Sequence, residues 1–379
     1  MSKLGLYVHI PFCRQKCLYC DFSSYQGVEH LFAAYTAALC QQIAEQGGVL
    51  CKSVVDTIYI GGGTPSLLPV QLLEQIMSSL YANFHVSNEA EISMEANPGT
   101  VTRAQLSALK AAGINRLSFG VQSFNNELLA GLGRIHQATD SLTAIEYAYA
   151  AGFNNISIDL MYGLPGQTFE GFAWELEQAV AVNTSHISVY GLKLEEGTPL
   201  AAAYDRGLLK LPDEATEEAM YDHMVDFLPG RGLLRYEISN FARPGLECRH
   251  NLKYWQYQPY LGIGAAAHSF LNGERLSNVT GIPEYISAIF EGCSPVVMRE
   301  TLTNDQSMAE YIFLALRTSQ GLTVANFSQL FCVDFFRHFG NIFEKLQRQD
   351  LVETDSRRIW LTDRGMKFGN IVFSSFLPD

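Results

Sequence analysis

Residues 4–22 read LGLYVHIPFCRQKCLYCDF, a short apolar run of β-strand character followed closely by three cysteines, Cys13, Cys17 and Cys20. Three thiols at spacings of four and three residues are typical of a metal-binding loop. A zinc site normally has four ligands in paired knuckles, and the only nearby fourth candidate is His9 within the strand. A disulfide would leave an odd thiol. Three thiolates suit a 4Fe-4S cluster with one open iron, and we favour that interpretation.

Short β-rich runs alternate with longer stretches of helical period up to residue 192. The predicted strands cover residues 4–10, 55–60, 90–96, 116–121, 155–160 and 186–192. The segments between them, such as 30–46 and 69–82, repeat apolar residues at helical spacing, and Pro69 suits a first helical turn. This alternation is typical of parallel strands joined by crossover helices. It predicts an α/β fold, either a β/α barrel or an open doubly wound sheet.

Beyond about residue 200 the alternation fades, and the sequence predicts three domains. Residues 1–200 form the barrel, and a helix near 212–228 with a Gly-rich stretch forms an α+β extension over 201–300. Residues 301–379 read as three helices and then a strand, a turn and a strand, which predicts a winged-helix-like module. Its last predicted helix, at 335–349, is too weakly basic for duplex DNA.

Charge and composition restrict the partners. The chain has 379 residues, of which 47% are hydrophobic and 17% charged, and its net charge is -13. An acidic surface repels phosphate backbones and anionic headgroups, so we expect no nucleic-acid partner. The first residues lack a signal-peptide pattern, and no run approaches the roughly 18 apolar residues of a spanning helix. We therefore expect a cytoplasmic protein that does not insert into a membrane. Whether it makes peripheral contact with a membrane-bound acceptor protein stays open.

Polar residues and glycines recur where the predicted strands end. They are Tyr7 late in the first strand, the turn Gly61–Thr64 after the second, Glu95 at the end of the third, Gln122 after the fourth and Asp159 at the end of the fifth. Sites in β/α barrels lie at the carboxyl ends of the strands, so we expect these residues to share one mouth. The glycines would let the backbone approach a ligand closely. Each residue alone is as well explained by a helix cap or a turn.

The cysteine motif and its neighbours resemble a known superfamily. CxxxCxYC after a first strand is similar to the motif of radical S-adenosylmethionine proteins, in which the open iron of a 4Fe-4S cluster binds the amino and carboxylate groups of S-adenosylmethionine. YVHIPFC, GGGTPS at 61–66, RLSFGVQSF at 116–124 and DLMYGLPGQT at 159–168 resemble the coproporphyrinogen III dehydrogenase-like (HemN-like) group. The likeness covers nearly the whole chain and implies a partial (β/α)6 barrel.

The resemblance also implies roles for individual residues. Cys13, Cys17 and Cys20 would hold the cluster. The positions that match contacts to S-adenosylmethionine are Tyr7, Tyr19, Gly62, Gly63, Thr64 and Glu95. Gln122, Arg134 and Asp159 match an adjacent site, which holds a second S-adenosylmethionine in HemN-type dehydrogenases. Because an arginine on a loop is as often a surface charge, both interpretations of Arg134 stay open.

Two features separate this chain from the dehydrogenase. The dehydrogenase pattern is CxxxCxxCxC, whereas Phe22 stands two residues beyond Cys20 here, and only six residues precede Tyr7. The CDF ending, the short start and HNLKYW at 250–255 instead resemble the heme-binding HemW family. A neutral imidazole among aromatics is a common axial ligand of heme iron, so His250 is the candidate ligand, followed by His268 and Cys248. The alternative is a structural histidine among core aromatics.

Two functions follow from the resemblance. The preferred one is a heme chaperone that binds heme and transfers it to an acceptor protein, with a 4Fe-4S cluster and S-adenosylmethionine as its other cofactors. We assign it no catalytic residue. The alternative is an oxygen-independent coproporphyrinogen III dehydrogenase, which acts by radical oxidative decarboxylation. Either function would need an electron donor if the cluster is reduced. Whether the chain is an enzyme stays open.

Overall fold

The computed structural model describes residues 3–378, and six parallel strands lie side by side in chain order at the centre of its main sheet. They are β1 (Lys3–Ile10), β2 (Val54–Gly62), β3 (His85–Ala96), β4 (Arg116–Gln122), β5 (Asn155–Tyr162) and β6 (His186–Gly191). Each one includes most of a predicted strand, so the predicted parallel α/β architecture is confirmed.

Helices join these strands. They are α1 (Phe32–Val49), α2 (Val70–Asn83), α3 (Arg103–Ala111), α4 (Asn126–Gly131), α5 (Ala138–Ala150) and α6 (Phe169–Ala181). The position of Pro69 differs from the prediction. It is the N-cap residue of α2, whereas the sequence predicted it in the first helical turn.

The central strands have one apolar and one polar face. Leu6, Ile58 and Ile158 are among the residues that pack in the main hydrophobic core. Their neighbours along the strands, such as Thr57 and Asp159, belong to the opposite face, because successive side chains of a strand alternate. This polar face carries the side chains that the site uses.

The region after β6 extends both edges of the same sheet. Its elements are α7 (Pro199–Asp205), α8 (Glu214–Phe227), β7 (Leu234–Arg235), β8 (Asn240–Ala242), α9 (Arg249–Trp255), β9 (Tyr260–Ile263), β10 (His268–Leu271), β11 (Glu274–Asn278), α10 (Ile282–Phe290) and β12 (Val296–Thr301). β8 pairs with β6, while β9 pairs in parallel with β1 and leads to β10, β11 and β12. The sheet therefore has twelve strands, and residues 201–300 share it with the barrel.

Helix α9, which contains the HNLKYW motif, packs on the polar face of the barrel. A Cβ at Gly5 in β1 would lie 3.0 Å from Lys253 Cδ and 3.4 Å from His250 Cε1. The carboxylate of Glu91 in β3 accepts hydrogen bonds from the backbone N–H groups of Arg249 and His250, each at 3.1 Å. A carboxylate at a helix N-terminus satisfies N–H groups that have no partner within the helix. Glu91 thus fixes α9 against the strands.

The last part of the chain has its own core and its own sheet. Its elements are α11 (Asn304–Leu316), β13 (Leu322–Thr323), α12 (Val324–Phe331), α13 (Phe335–Arg348), β14 (Val352–Thr354), β15 (Arg358–Leu361), α14 (Asp363–Lys367) and α15 (Gly369–Ser374). The three strands pair antiparallel in the order β13-β15-β14. The predicted order of helices and strands is present, and the winged-helix-like description stays a prediction. Within residues 3–378 no helix is long and apolar enough to cross a membrane.

Candidate functional site

The loop that carries the three cysteines is tied to the barrel at both ends. At its start, the Tyr25 N–H donates to the Pro11 carbonyl at 2.8 Å and the Cys13 N–H donates to the Tyr25 carbonyl at 2.9 Å. Further along, the N–H of Leu18 donates to the carbonyl of Leu132 at 3.0 Å. All three cysteines are half-buried. The backbone therefore holds the thiols in place.

The glycine turn after β2 packs closely against the start of this loop. The Gly63 N–H donates to the Ile10 carbonyl at 2.8 Å, and the Thr64 N–H donates to the Phe12 carbonyl at 2.7 Å. A Cβ on Gly63 would lie 2.6 Å from that same Phe12 oxygen, a distance that real Cβ atoms essentially never show. Gly62 has a φ of 115° and closely approaches the His9 ring. The glycines thus allow a close approach to the protein's own chain, and the predicted approach to a ligand stays a prediction.

A chain of hydrogen bonds links two of the thiols. The Thr64 hydroxyl donates to Cys13 Sγ at 3.7 Å and accepts from the side-chain amide of Asn97 at 2.9 Å. The carbonyl oxygen of that amide accepts from Arg134 Nη2 at 2.8 Å, and Arg134 Nη1 donates to Cys17 Sγ at 3.4 Å. Arg134 is therefore half-buried in the lining of the site, and its role toward a ligand stays a prediction.

An outer cavity of about 140 Å³ brings most of the predicted residues together. Its lining includes Cys13, Cys17, Cys20, Tyr19, Gly62, Gly63, Thr64, Glu95, Gln122, Arg134 and Asp159. Tyr7 is not in this lining. Its hydroxyl lies 2.9 Å from His9 Nδ1, and its ring stacks on Tyr59 with centroids 6.3 Å apart. Contact of Tyr7 with a ligand of this cavity therefore stays a prediction.

The cysteines fit a cluster better than a single ion. Among residues 3–378, no three His, Cys, Asp or Glu side chains are grouped so that they could hold one metal ion. A zinc ion needs all its ligands within about 2.3 Å of one point. In a 4Fe-4S cluster each cysteine binds a different iron, so the thiols line a cavity instead of meeting at one point. The three thiols around the outer cavity satisfy this second requirement.

Two half-buried carboxyl groups face the outer cavity. Burial raises the pKa of Glu95 to about 7, although the Tyr59 hydroxyl and the Gly62 N–H each donate a hydrogen bond to it at 2.9 Å. Burial likewise raises the pKa of Asp159, against the effect of a hydrogen bond from Ser188. Both groups hold their protons more strongly than exposed carboxylates do. A bound cation would favour the ionised form of each.

An inner cavity of about 320 Å³ lies next to the outer one. The two share lining residues, including Tyr19, Phe22, Glu95, Gln122 and Asp159. Gln122 adopts a φ of 66°, a left-handed conformation that is uncommon outside glycine and is often found at binding sites. The sheet contributes Arg116, His186, Ser188 and Tyr190 to the inner cavity, and helix α9 contributes Asn251.

His250 does not line either cavity. Its side chain is fully buried, with Nδ1 2.9 Å from the Thr57 hydroxyl and Nε2 2.7 Å from the Tyr254 hydroxyl. Burial lowers the pKa of His250 to about 3, so the ring is neutral. Because both nitrogens are occupied, this arrangement does not support direct ligation of a heme iron. Ligation would require one of these hydrogen bonds to open.

The two lesser candidates also lie outside both cavities. Cys248 is buried, and burial raises the pKa of its thiol to about 12, which keeps it protonated. A protonated thiol is a poor metal ligand. His268 is exposed at the start of β10. Neither residue lines the outer or the inner cavity, and ligation of heme by either stays a prediction.

The structure adds residues that sequence reasoning missed. Asn97 follows β3 by one residue and shares the strand-end position that singled out Glu95, so the same signal would have found it. Arg116 and His186 stand at the first positions of strands β4 and β6. Their residue types are unusual for a buried strand, and that was the available signal.

The strand order, the cysteine loop and the strand-end lining define a radical S-adenosylmethionine protein. The family model for the radical SAM superfamily matches residues 7–178, and that for the HemN C-terminal domain matches residues 302–368. The chain belongs to the HemW family of heme chaperones, since it is 36% identical to heme chaperone HemW of Bacillus subtilis over 98% of this chain and 99% of that one.

Other relatives agree. Heme chaperone HemW of Lactococcus lactis is 38% identical over 98% of this chain and 97% of its own length. Heme chaperone HemW of Escherichia coli is 39% identical over 71% of this chain and 70% of its own. The solved structure of coproporphyrinogen III oxidase (HemN) from Escherichia coli is 27% identical, with a TM-score of 0.88 over 99% of this chain and 90% of that chain.

Proposed function

We propose that this chain binds heme and transfers it to an acceptor protein, and that Cys13, Cys17 and Cys20 hold a 4Fe-4S cluster. The observation that carries the cluster site is that the three thiols of one anchored loop line the same cavity as the strand-end residues. A cluster of this kind, when reduced, supplies an electron to S-adenosylmethionine bound at its open iron. The HemW relatives, which are named heme chaperones, support the proposed transfer of heme.

The residues of the outer cavity would bind and orient S-adenosylmethionine. With its amino and carboxylate groups at the open iron, this ligand would keep the positive charge of its sulfonium. Glu95 and Asp159 offer the matching negative charge from two neighbouring parts of the wall. Tyr19, Gly62, Gly63 and Thr64 would enclose it, while Arg134 would position Cys17. Tyr7 would act only indirectly, through its stacking on Tyr59.

We place heme at the mouth of the barrel, against Phe22. This side chain is 64% exposed although it lines both cavities. An exposed aromatic ring at a cavity mouth offers a flat apolar surface to a planar macrocycle. His250 remains a candidate axial ligand only for a conformation in which its hydrogen bond to Tyr254 has opened.

The alternative function, oxidation of coproporphyrinogen III, is favoured by one observation. The overall fold matches the HemN structure closely, and an inner cavity adjoins the cluster cavity. Against it, Phe22 stands where the dehydrogenase pattern has a further cysteine. Turnover of coproporphyrinogen to protoporphyrinogen and carbon dioxide would establish the alternative.

Further parts of the proposal concern partners and organisation. Reduction of the cluster would need an electron donor, and a membrane-bound acceptor would need only peripheral contact. A reducing cytoplasm would suit the thiols. We keep the division into residues 1–200, 201–300 and 301–379, and the separate core of the last part supports its second boundary.

An anaerobic heme titration of the cluster-reconstituted protein tests the proposal. We expect one heme per chain, with a saturable Soret band. Phe22→Ala should weaken heme binding, whereas Phe290→Ala should not, because Phe290 is 52% exposed but lines neither cavity. Absence of saturable binding, together with turnover of coproporphyrinogen, would replace the chaperone by the alternative.

A further inference from the structure

Arg116 is a fully buried cation in the wall of the inner cavity. It stands at the start of β4 and is only 2% exposed, yet its side chain lines the cavity of about 320 Å³. A guanidinium stays charged under all physiological conditions. Burying such a charge is unfavourable unless an anion or several acceptors surround it.

The described residues do not complete the surroundings of this cation. Within residues 3–378 no carboxylate oxygen lies within 4.0 Å of Arg116, and its buried Nε has no hydrogen-bond partner. Arg275, by contrast, forms an ion pair with Glu310 at 2.6 Å, whereas Arg116 forms none with the described residues. The Nε of Arg116 therefore retains an unused donor, and its side chain lines the inner cavity.

The nearby carboxylates are engaged elsewhere. Glu91, which interacts with Arg116 electrostatically, accepts hydrogen bonds from the first N–H groups of α9. Glu95 accepts from Tyr59 and Gly62, and Asp159 accepts from Ser118 at 3.4 Å. These groups moderate the charge of Arg116 without forming an ion pair with it.

We propose that Arg116 binds a carboxylate of a ligand in the inner cavity, assisted by the neutral donors Tyr190 and Asn251. Arginine presents paired N–H groups that match the two oxygens of a carboxylate. The carboxylate has two possible sources: a propionate of heme that reaches inward from Phe22, or the amino-acid carboxylate of a second S-adenosylmethionine. The first source rests on the proposed function, and the second does not.

The test compares ligands with and without the carboxylate in the cluster-reconstituted protein. Heme is compared with its dimethyl ester, and the number of S-adenosylmethionine molecules bound per chain is counted by equilibrium dialysis. Three proteins are used: the unchanged chain, Arg116→Gln, and Arg103→Gln as a matched loss of charge. Arg103 is exposed and lines neither cavity.

A heme propionate is the source if the unchanged chain binds the dimethyl ester about ten- to a hundredfold more weakly than heme, the range for a hydrogen bond to a charged group. Arg116→Gln should then bind both at the affinity of the ester. A second S-adenosylmethionine is the source if two molecules bind to the unchanged chain and one to Arg116→Gln. Arg103→Gln should match the unchanged chain in both measurements.

Equal affinities for heme and ester, with the same S-adenosylmethionine count in all three proteins, would overturn the proposal. If Arg116→Gln fails to fold, the comparison of heme with its ester and the S-adenosylmethionine count in the unchanged chain still test the proposal. Without a preference for heme over its ester and without a second S-adenosylmethionine, Arg116 binds no ligand carboxylate. A failure of all three proteins to bind heme would contradict the proposed function, and the S-adenosylmethionine count would still test Arg116.

Discussion

Arg134 donates a hydrogen bond from Nη1 to Sγ of Cys17 over 3.4 Å, from a loop more than a hundred residues away in the chain. Its Nη2 donates to Asn97 and to the Gly120 carbonyl, so the guanidinium is held from a second side. Hydrogen bonds and positive charge at the sulfurs help to set the potential of an iron–sulfur cluster. Arg134 is therefore a positioning residue with an electrostatic effect on Cys17.

Arg134→Met should leave iron and sulfide content unchanged and lower the reduction potential of the cluster. Removal of a positive charge disfavours the more negative, reduced state. A redox titration followed by electron paramagnetic resonance measures this shift, with Arg103→Met as the control. An unchanged potential would show that the contact with Cys17 has no electrostatic effect.

Cys17→Ala should abolish the iron–sulfur absorption, because two thiolates are too few to hold the cluster. Cys51→Ala is the matched control, since Cys51 is exposed and lines neither cavity. Iron and sulfide analysis after anaerobic reconstitution checks both variants. Full iron and sulfide in the Cys17 variant would disprove the cluster assignment.

Glu95 should make the binding of S-adenosylmethionine depend on pH. With a pKa of about 7, this carboxyl is roughly one-tenth ionised at pH 6 and nine-tenths at pH 8. The sulfonium of the ligand favours the ionised form of Glu95, so the affinity should rise about tenfold over this range. The pKa values of His136 and His250 are lowered to about 4 and about 3, below the range tested.

Calorimetric titrations at pH 6, 7 and 8 measure the effect, and Glu95→Gln should remove most of it. Asp159, whose pKa is also raised, can account for what remains. An equal rise in affinity in the Glu95 variant would assign the pH dependence to another group.

Tyr254→Phe tests the candidate heme ligand. The substitution removes the hydroxyl that lies 2.7 Å from His250 Nε2 and frees that nitrogen. If His250 ligates heme iron, affinity should rise severalfold in Tyr254→Phe, since no hydrogen bond must break first, and His250→Ala should change the Soret band. An unchanged affinity in the first variant and an unchanged band in the second would assign His250 a structural role.

Lys253 anchors α9 to the barrel through an ion pair with Asp56, at 2.7 Å. The lysine side chain is only 3% exposed and that of Asp56 12%, so Lys253→Met would leave Asp56, among the described residues, with only the exposed Lys3, whose Nζ lies 4.0 Å from it. We expect a loss of about 3 kcal/mol in the free energy of unfolding, measured by urea denaturation. Lys52→Met, at an exposed position, should cost much less. The double variant Asp56→Asn/Lys253→Met should recover part of the loss, because no unpaired charge remains buried.

The local pattern of the chain was enough to predict the strands and most of the outer cavity. Strand propensity and strand-end position depend on neighbouring residues, so Glu95 and Asp159 could be recognised directly. Arg116 carried only the signal of an arginine in a buried strand, and the structure was needed to show that it lines the inner cavity.

The role of α9 depends on contacts that are distant in sequence. His250 meets Thr57, 193 residues earlier in the chain, and a motif at 250–255 gives no sign of that partner. The glycine turn is a similar case. Its residues indicated a close approach, but only the structure shows that the approaching group is the backbone of Phe12.

The backbone ties of the cysteine loop also affect how the protein would survive oxidation. Zinc fingers unfold without their metal because the ion supplies most of their folding energy. Here the Tyr25, Cys13 and Leu18 N–H groups and the glycine turn hold the loop through bonds that involve no metal. Loss of the cluster to oxygen should then leave the loop folded, so that iron and sulfide could rebuild the cluster without refolding of the chain.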